Sequence, residues 1–358
     1  MIYIHVPFCK SFCTYCDFYS EIAEDSTFEP YTELLCAEIR RRAGEMDDTL
    51  KTLYFGGGTP SLLPLSCLTR ILLTLEECGH GGPYTEFTME VNPEDIVDRG
   101  LSYVQSLKAL GVNRVSIGVQ SFDDNLLRWM NRRHNAQRAK EAFALVQEAG
   151  IENISLDLIF GLSNLQDSVW EDTISQALSL HPKHISCYQL TVEGDSVLAH
   201  RLEAGEYEEA TDEVCRHQYD ILCRKLADAG FVHYEISNFA QPGFEAVHNM
   251  GYWHRRPYVG LGPAAHSFSG RSRSWNDATL VDYAHTEEAL SVEDEKVETL
   301  MLGLRTARGV DVDFLHGNCR DMDIYRLLDA GALQVEGRRV RIPEDHFFVC
   351  DEIIRELI

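Results

Sequence analysis

Six short apolar runs alternate with helix-length stretches through the first half of the chain, and this alternation constrains the fold more than any other feature. The runs are rich in β-branched and aromatic residues, as strands are; they span Met1–Val6, Lys51–Phe55, Glu86–Val91, Arg114–Val119, Ile154–Phe160 and His184–Leu190. The stretches between them predict helices over Thr32–Met46, Leu63–Glu77, Leu101–Leu110, Asn135–Ala149 and Asp167–Leu180. This order predicts an α/β fold with a parallel sheet and right-handed crossovers, either doubly wound or closed as a barrel.

Polar and glycine-rich positions follow the predicted strands and favour the barrel. They are Cys9, Cys13 and Cys16 after the first run, Gly56, Gly57, Gly58 and Thr59 after the second, Glu90 and Gln120 at the ends of the third and fourth, and Asp157 within the fifth. In barrels the carboxyl ends of parallel strands meet at one face, where successive loops build the active site. We therefore predict a reaction centre at the mouth of a barrel.

The stretch HVPFCKSFCTYCDFYS holds three cysteines in a CxxxCxxC array. A structural zinc site normally has four protein ligands, whereas a 4Fe-4S cluster takes one thiolate per iron. Three thiolates would leave one iron open to a small molecule. The spacing alone leaves two alternatives, a Cys3His zinc site that includes His5, and three unrelated cysteines. The other eight cysteines are scattered and are typical of reduced core residues.

The cysteine array and the glycine-rich segment YFGGGTPSLL (Tyr54–Leu63) together resemble the radical SAM superfamily. In that superfamily three cysteines hold a 4Fe-4S cluster whose fourth iron chelates S-adenosylmethionine (SAM), which is then cleaved to methionine and an adenosyl radical. The segments IHVPFC, MEVNPED, GVNRVSIGVQSF, DLIFGL and YQLT narrow the resemblance to the coproporphyrinogen dehydrogenase group, over roughly residues 1–270.

This resemblance implies a partial (β/α)6 barrel and a set of cofactor ligands. The implied cluster ligands are Cys9, Cys13 and Cys16, and the implied SAM-binding residues are Tyr3, Gly57, Gly58, Thr59, Glu90, Gln120, Arg132 and Asp157. Ordinary ion pairs at strand ends are the alternative for Glu90 and Asp157. A solvated charge is the alternative for Arg132.

Two features separate the members of this group. The dehydrogenases convert two propionate side chains of coproporphyrinogen III to vinyl groups. Their cysteines follow a CxxxCxxCxC pattern, and a long N-terminal extension precedes it. Here Phe18 occupies the fourth cysteine position, and the array begins eight residues after Met1. In both features the chain instead resembles the sister family of HemW heme chaperones. The implied function is heme transfer, with the dehydrogenase and a radical SAM enzyme acting on another tetrapyrrole as alternatives.

The segment HNMGYW resembles the HNxxYW pattern associated with heme binding in that sister family, which implies heme-binding roles for His248, Asn249, Tyr252 and Trp253. Imidazole is a good axial ligand for heme iron, and aromatic rings offer a flat apolar surface to a porphyrin. Arg255 and Arg256 lie close enough in sequence to pair with propionates. A packed, hydrogen-bonded histidine corner is the alternative interpretation.

Composition and charge limit the partners. The chain has 358 residues and a formal net charge of −25, and no segment approaches the roughly 18 apolar residues of a membrane span. We expect a cytoplasmic protein that binds no nucleic acid, because phosphate contacts need clustered Lys and Arg. The implied partners are heme-accepting client proteins, membrane proteins among them, a reductant for the cluster, and a second copy of the chain in a homodimer.

After about residue 285 the pattern changes to short elements. It predicts helices over Val292–Leu304, Val312–Leu315, Asp321–Asp329 and His346–Leu357, and a hairpin within Ala332–Ile342. These resemble the small winged-helix-like domain of the family, so we predict a barrel domain with a heme-binding extension over 1–285 and a C-terminal domain over 286–358. Residues 291–358 hold 9 basic and 15 acidic residues, a net charge of −6, which argues against duplex binding. A lid over the barrel mouth and a docking surface for a heme acceptor are the alternatives.

Overall fold

The computed structural model describes residues 1–47, 49–194 and 196–358. Within them, one sheet of nine strands forms the centre of the molecule. In chain order its strands are β1 (Ile2–Val6), β2 (Thr52–Gly57), β3 (Glu86–Val91), β4 (Arg114–Gln120), β5 (Asn153–Phe160), β6 (His184–Gln189), β7 (Val232–Glu235), β8 (Asn238–Ala240) and β9 (Val259–Leu261).

Strands β1 to β6 lie side by side in sequence order and pair in parallel. β9 pairs in parallel with the outer side of β1, whereas β8 and then β7 extend the sheet in antiparallel pairing beyond β6. The edge strands β9 and β7 do not pair with each other in the part of the chain that the structure describes, so the sheet stays open. This arrangement confirms the predicted α/β fold and the partial barrel of six parallel strands.

Helices cover the outside of this sheet and form much of residues 286–358, here called the C-terminal segment. In chain order they are α1 (Asp25–Arg42), α2 (Leu65–Glu77), α3 (Pro93–Ala109), α4 (Asp124–Trp129), α5 (Ala136–Glu148), α6 (Asp167–Ser179), α7 (Val197–Glu203), α8 (Asp212–Asp228), α9 (Val247–Trp253), α10 (Val292–Leu304), α11 (Val312–Asn318), α12 (Asp321–Asp329) and α13 (Cys350–Leu357). Among the described helices, none combines the length and the apolarity needed to span a bilayer.

Two helices begin earlier than the sequence predicts. α1 starts at Asp25 and contains Pro30. Pro30 has no N–H to donate to the carbonyl oxygen of Ser26, but Ser26 is exposed, so water can bond this oxygen instead. α3 starts at Pro93, where the missing N–H costs no helical bond. Gly100, with a φ of 70°, interrupts α3, and the predicted helix corresponds only to the segment after it.

Side chains alternate between the two faces of the parallel strands with a period of two. Positions that face the helices are apolar and fully buried, for example Ile4, Leu53 and Phe87. Positions that face inward are polar, and their side chains bond one another across the barrel, for example Tyr54 to Glu90. The barrel interior is therefore a hydrogen-bonded polar compartment that leads to the carboxyl ends of the strands.

Two small antiparallel sheets follow the barrel. The first consists of β10 (His266–Phe268), β11 (Ser272–Asn276) and β12 (His285–Ala289), and the second of β13 (Val310–Asp311), β14 (Gln334–Glu336) and β15 (Arg339–Arg341). β14 and β15 form the predicted hairpin, and the last predicted helix is divided into a 3-10 turn, Glu344–Val349, and α13. The division into two domains stays a prediction, and its predicted boundary falls within β12, which pairs with β11.

Candidate functional site

Cys9, Cys13 and Cys16 lie in the loop after β1 as free, partly exposed thiols. A short parallel pairing between Phe8–Cys9 and Glu21–Ile22 closes the base of this loop. Burial raises the pKa of Cys16 to about 11, and the charges of Cys13 and Cys9 also raise it. Cys13 and Cys9 are thus close enough to Cys16 to oppose its ionisation. A bound cation would stabilise them as thiolates, which fits an iron–sulfur cluster.

A continuous chain of hydrogen bonds joins Cys13 to Cys9 across this loop. The Arg132 guanidinium donates to Cys13 Sγ at 3.3 Å and to Asn92 Oδ1 at 2.6 Å. Asn92 Nδ2 donates to Thr59 Oγ1 at 3.1 Å, and that hydroxyl lies 3.5 Å from Cys9 Sγ. Arg132 is therefore held by the site and is not the solvated charge of the alternative interpretation. Sequence reasoning missed Asn92, although its position directly after a buried strand was a usable signal.

β2 ends in a glycine turn that lies against β1 and the cysteine loop. Gly57 has a φ of 106°, a conformation that favours glycine, and a Cβ at this position would lie 2.6 Å from the His5 ring. A Cβ at Gly58 would lie 2.8 Å from the carbonyl oxygen of Phe8. No larger side chain fits at either position, and the turn offers bare backbone to a ligand in the barrel mouth.

Glu90 and Asp157 are carboxylates inside the barrel. Glu90 accepts hydrogen bonds from Tyr54 Oη at 2.6 Å and from Gly57 N at 3.2 Å. Burial raises the pKa of Glu90 to about 7, and the nearby Asp157 also raises it. Asp157 accepts a hydrogen bond from Ser116 Oγ at 2.9 Å, and burial raises its pKa. Both carboxylates thus accept hydrogen bonds from neutral donors inside the barrel.

Tyr3 and Gln120 complete the predicted SAM-binding set. Tyr3 Oη lies 3.0 Å from His5 Nδ1, and His5 Nε2 lies 3.0 Å from the carbonyl oxygen of Tyr19 in the cysteine loop. Both nitrogens of His5 therefore have partners, and a Cys3His zinc site would require one of these two contacts to break. Gln120 ends β4 with a φ of 66°, where the register between β4 and β5 shifts. Such a conformation is uncommon outside glycine and is often found at functional sites.

His248, in α9, lies at the opposite end of the barrel from the cysteines. Its Nδ1 lies 2.8 Å from Thr52 Oγ1, and Glu86 accepts its backbone N–H at 3.0 Å; these two residues begin β2 and β3. Its Nε2 lies 2.7 Å from Tyr252 Oη, and its side chain is fully buried. Burial lowers the pKa of His248 to about 3, and the amino terminus and Arg114 also lower it. In this conformation both ring nitrogens of His248 have partners.

Because His248 is buried and neutral, we expect the protein to lose stability in mild acid. Its pKa is about 3 in the folded chain and about 6.5 in an unfolded one, so the unfolded state takes up the extra proton as the pH falls. The stabilisation is present above about pH 6.5 and is lost below it; we expect a loss of about 2 kcal/mol in the free energy of unfolding between about pH 7.5 and pH 5. Urea unfolding at both pH values, compared with His248→Asn, measures this difference. An equal pH dependence in the two proteins would contradict it.

The other predicted heme residues, Asn249, Tyr252 and Trp253, lie within α9 itself. Asn249 and Trp253 are partly exposed. A cleft of about 330 Å³ lies beside α9 and has Arg256 in its wall. Arg255 forms an ion pair with Glu298 at 3.1 Å. Of the two arginines that could pair with propionates, only Arg256 lines the cleft.

Tyr54 connects the two ends of the barrel. Its ring centroid lies 5.1 Å from that of His248, and its hydroxyl donates to Glu90 at 2.6 Å. No role for this tyrosine was predicted beyond membership of the glycine-rich segment. A change at His248 therefore has a direct packing path to Glu90, next to the glycine turn.

Sequence comparison finds relatives along the whole chain. A sequence model of the radical SAM superfamily matches residues 3–177. The chain is 37% identical over 332 residues to the heme chaperone HemW of Synechocystis sp., a match that covers 86% of this chain and 78% of that protein. It is 32% identical over 371 residues to the heme chaperone HemW of Mycobacterium tuberculosis, which covers 100% of this chain and 94% of that protein.

Structure comparison finds a similar fold in coproporphyrinogen III oxidase (HemN) from Escherichia coli, described as a radical SAM enzyme. The TM-score is 0.83, and the match covers 99% of this chain and 89% of that chain. Sequence identity is 21%, so this likeness supports the fold and not a shared reaction.

Proposed function

The chain belongs to the HemW family of heme chaperones within the radical SAM superfamily, and on that basis we propose that it binds heme and passes it to client proteins. The observation that carries this proposal is the 37% identity to a heme chaperone over 86% of the chain. Phe18, in place of a fourth cysteine, supports a chaperone over a dehydrogenase.

A 4Fe-4S cluster and SAM are the cofactors of this superfamily, and the residues at the barrel mouth fit both. When bound, they supply one-electron reductive cleavage of SAM. Cys9, Cys13 and Cys16 would hold the cluster, and the Arg132 guanidinium would stabilise the thiolate of Cys13, to which it donates at 3.3 Å. Thr59 would do the same for Cys9.

The other residues of the mouth would bind and orient SAM. The bare backbone of Gly57 and Gly58 would lie against the methionine part. Glu90, with a pKa of about 7, would accept hydrogen bonds from the cofactor and gain negative charge as cationic SAM approaches. Tyr3, Gln120 and Asp157 would line the same cavity.

Heme would bind at the HNMGYW segment, with His248 as axial ligand and Tyr252, Trp253 and Asn249 as its surroundings. Coordination by His248 requires its hydrogen bond to Tyr252, 2.7 Å long, to break and α9 to shift toward solvent. Arg256, at the adjacent cleft, would pair with a propionate. Tyr54 contacts both His248 and Glu90. A shift of α9 would therefore also change the contact of Tyr54 with Glu90 at the SAM site.

The partners that follow are a reductant for the cluster and heme-accepting clients, membrane proteins among them. A homodimer is a further proposal, which sedimentation of the cluster-loaded protein would test. Residues 291–358, with their net charge of −6, would serve as a lid or as a docking surface for the acceptor.

The experiment that tests the proposed function is a heme titration of the anaerobically cluster-reconstituted protein, followed at the Soret band. We expect saturable binding by the wild type and a loss of about tenfold or more in His248→Ala, because heme loses its axial ligand. Tyr252→Phe removes the competing hydrogen bond and should bind heme at least as tightly as the wild type.

His254→Ala is the matched control, because His254 is exposed and lies beside the same cleft. Loss of heme binding in His254→Ala, but not in His248→Ala, would mean that the histidine ligand of heme is not His248 at the barrel end. Absence of saturable binding by the wild type would contradict the chaperone function. Conversion of coproporphyrinogen III to a divinyl product, with SAM and a reductant, would then support the dehydrogenase.

A further inference from the structure

Three metal-binding side chains meet where the C-terminal segment touches the barrel. Cys223 comes from α8, His233 from β7 and Glu344 from the 3-10 turn before α13. One ligand atom of each lies within 4.8 Å of the others. His233 Nδ1 faces both partners, at 3.1 Å from Glu344 Oε1 and 4.0 Å from Cys223 Sγ. This cluster shares no residue with the predicted SAM and 4Fe-4S site or with α9.

The two ring nitrogens of His233 face different partners. Nε2 lies 3.1 Å from Tyr219 Oη and 3.4 Å from the carbonyl oxygen of Ile236, to which Tyr219 Oη can donate at 2.8 Å. Nδ1 faces Glu344 and Cys223. When Nε2 carries the hydrogen, Nδ1 has a lone pair for a metal ion; in the other tautomer Nδ1 donates to Glu344.

The surroundings hold the imidazole as metal sites hold a ligand. Its ring stacks on Phe239 at 4.0 Å between centroids, and the edge of Phe347 packs against it at 4.9 Å. The His233 side chain is 2% exposed, whereas that of Glu344 is 53% exposed. A histidine that binds metal through one nitrogen usually donates the other N–H to a neighbouring oxygen, and Tyr219 Oη and the carbonyl oxygen of Ile236 are available to Nε2. The exposed carboxylate gives an ion a route from solvent.

We propose that Cys223, His233 and Glu344 form a site for a divalent zinc-class cation. Sulfur, nitrogen and carboxylate oxygen are the donors that zinc takes, and three protein ligands leave one position for water. Zinc bonds of about 2.0–2.3 Å separate tetrahedral ligand atoms by about 3.3–3.6 Å, so shifts of under about 1 Å would close the site. The bound ion would fasten the C-terminal segment to the barrel.

Zinc binding by the full, cluster-loaded chain tests this proposal. We would dialyse it anaerobically against a zinc buffer and measure zinc and iron together, so that metal in the cluster is counted separately. We expect one zinc per wild-type chain and an affinity lower by about tenfold or more in Cys223→Ser and in Glu344→Gln. Zinc should also raise the unfolding temperature of the wild type more than that of Glu344→Gln.

Cys319→Ser is the matched control, since Cys319 is another partly exposed cysteine outside this cluster; it should bind zinc like the wild type. Glu344 is half exposed, so its substitution to glutamine should leave the fold intact and keep the test informative if Cys223→Ser unfolds. X-ray absorption of the bound zinc should show one sulfur ligand. Equal zinc content in the wild type and Glu344→Gln, at unchanged iron, would overturn the proposal.

Discussion

Replacement of Cys13 by alanine is expected to lower the iron content of the reconstituted protein from about four atoms per chain to nearly none. A cubane cluster takes one thiolate per iron, and this chain offers three in one loop, so losing one leaves two irons without protein ligands. The Arg132 guanidinium, which donates to Cys13 at 3.3 Å, would face a methyl group instead. Iron and acid-labile sulfide assays, with electron paramagnetic resonance of the reduced protein, measure the loss.

Cys78→Ser is the matched control for this change, because Cys78 is also a partly exposed free cysteine and lies at the end of α2. It should keep its iron and its SAM binding. Wild-type iron content in Cys13→Ala would show that the array does not hold a cubane. Three unrelated cysteines, and a Cys3His zinc site formed after His5 gives up one of its two contacts, would then be the remaining interpretations.

The sequence could predict the barrel and its mouth because both depend on local patterns. Each strand is a short apolar run, and the residue that follows a strand of a parallel sheet must lie at the same end as its equivalents. Thr59 follows that rule, and so does Asn92, which was overlooked, while Glu90 lies near the carboxyl end of β3 itself. The starts of two helices differ from the predicted ones, because Pro30 is tolerated in α1 and Gly100 interrupts α3 without ending it.

What the sequence could not predict are contacts between residues far apart along the chain. The burial of His248 depends on Thr52 and Glu86, which precede it by 196 and 162 positions. No pattern within HNMGYW shows that its histidine lies under the amino ends of the strands. Likewise, Glu344 joins His233 across 111 positions, and neither residue lies in a recognisable motif.

The second large effect is expected at Glu86, whose carboxylate holds α9 against the barrel. Glu86 accepts the backbone N–H groups of Val247 at 2.8 Å and His248 at 3.0 Å, and it is 3% exposed. Its charge also acts on Arg114, which is fully buried. Glu86→Ala would leave two amides and a guanidinium without this partner in the interior. We expect a loss of about 3–5 kcal/mol in the free energy of unfolding, measured by urea denaturation near neutral pH.

Glu77→Ala is the control for Glu86, because Glu77 forms an ion pair in which both side chains are more than half exposed, and such pairs contribute about 0–1 kcal/mol. If the unfolding midpoint of Glu86→Ala matched that of Glu77→Ala, the carboxylate would not be holding α9. Glu86→Gln keeps one acceptor oxygen and removes the charge, so it should fall between the two. Heme titration of Glu86→Gln at a urea concentration below its unfolding midpoint then separates an effect on the position of His248 from an effect on the stability of the fold. Weaker heme binding in this folded variant would mean that the barrel end sets the position of His248, since Glu86 itself lies buried behind α9.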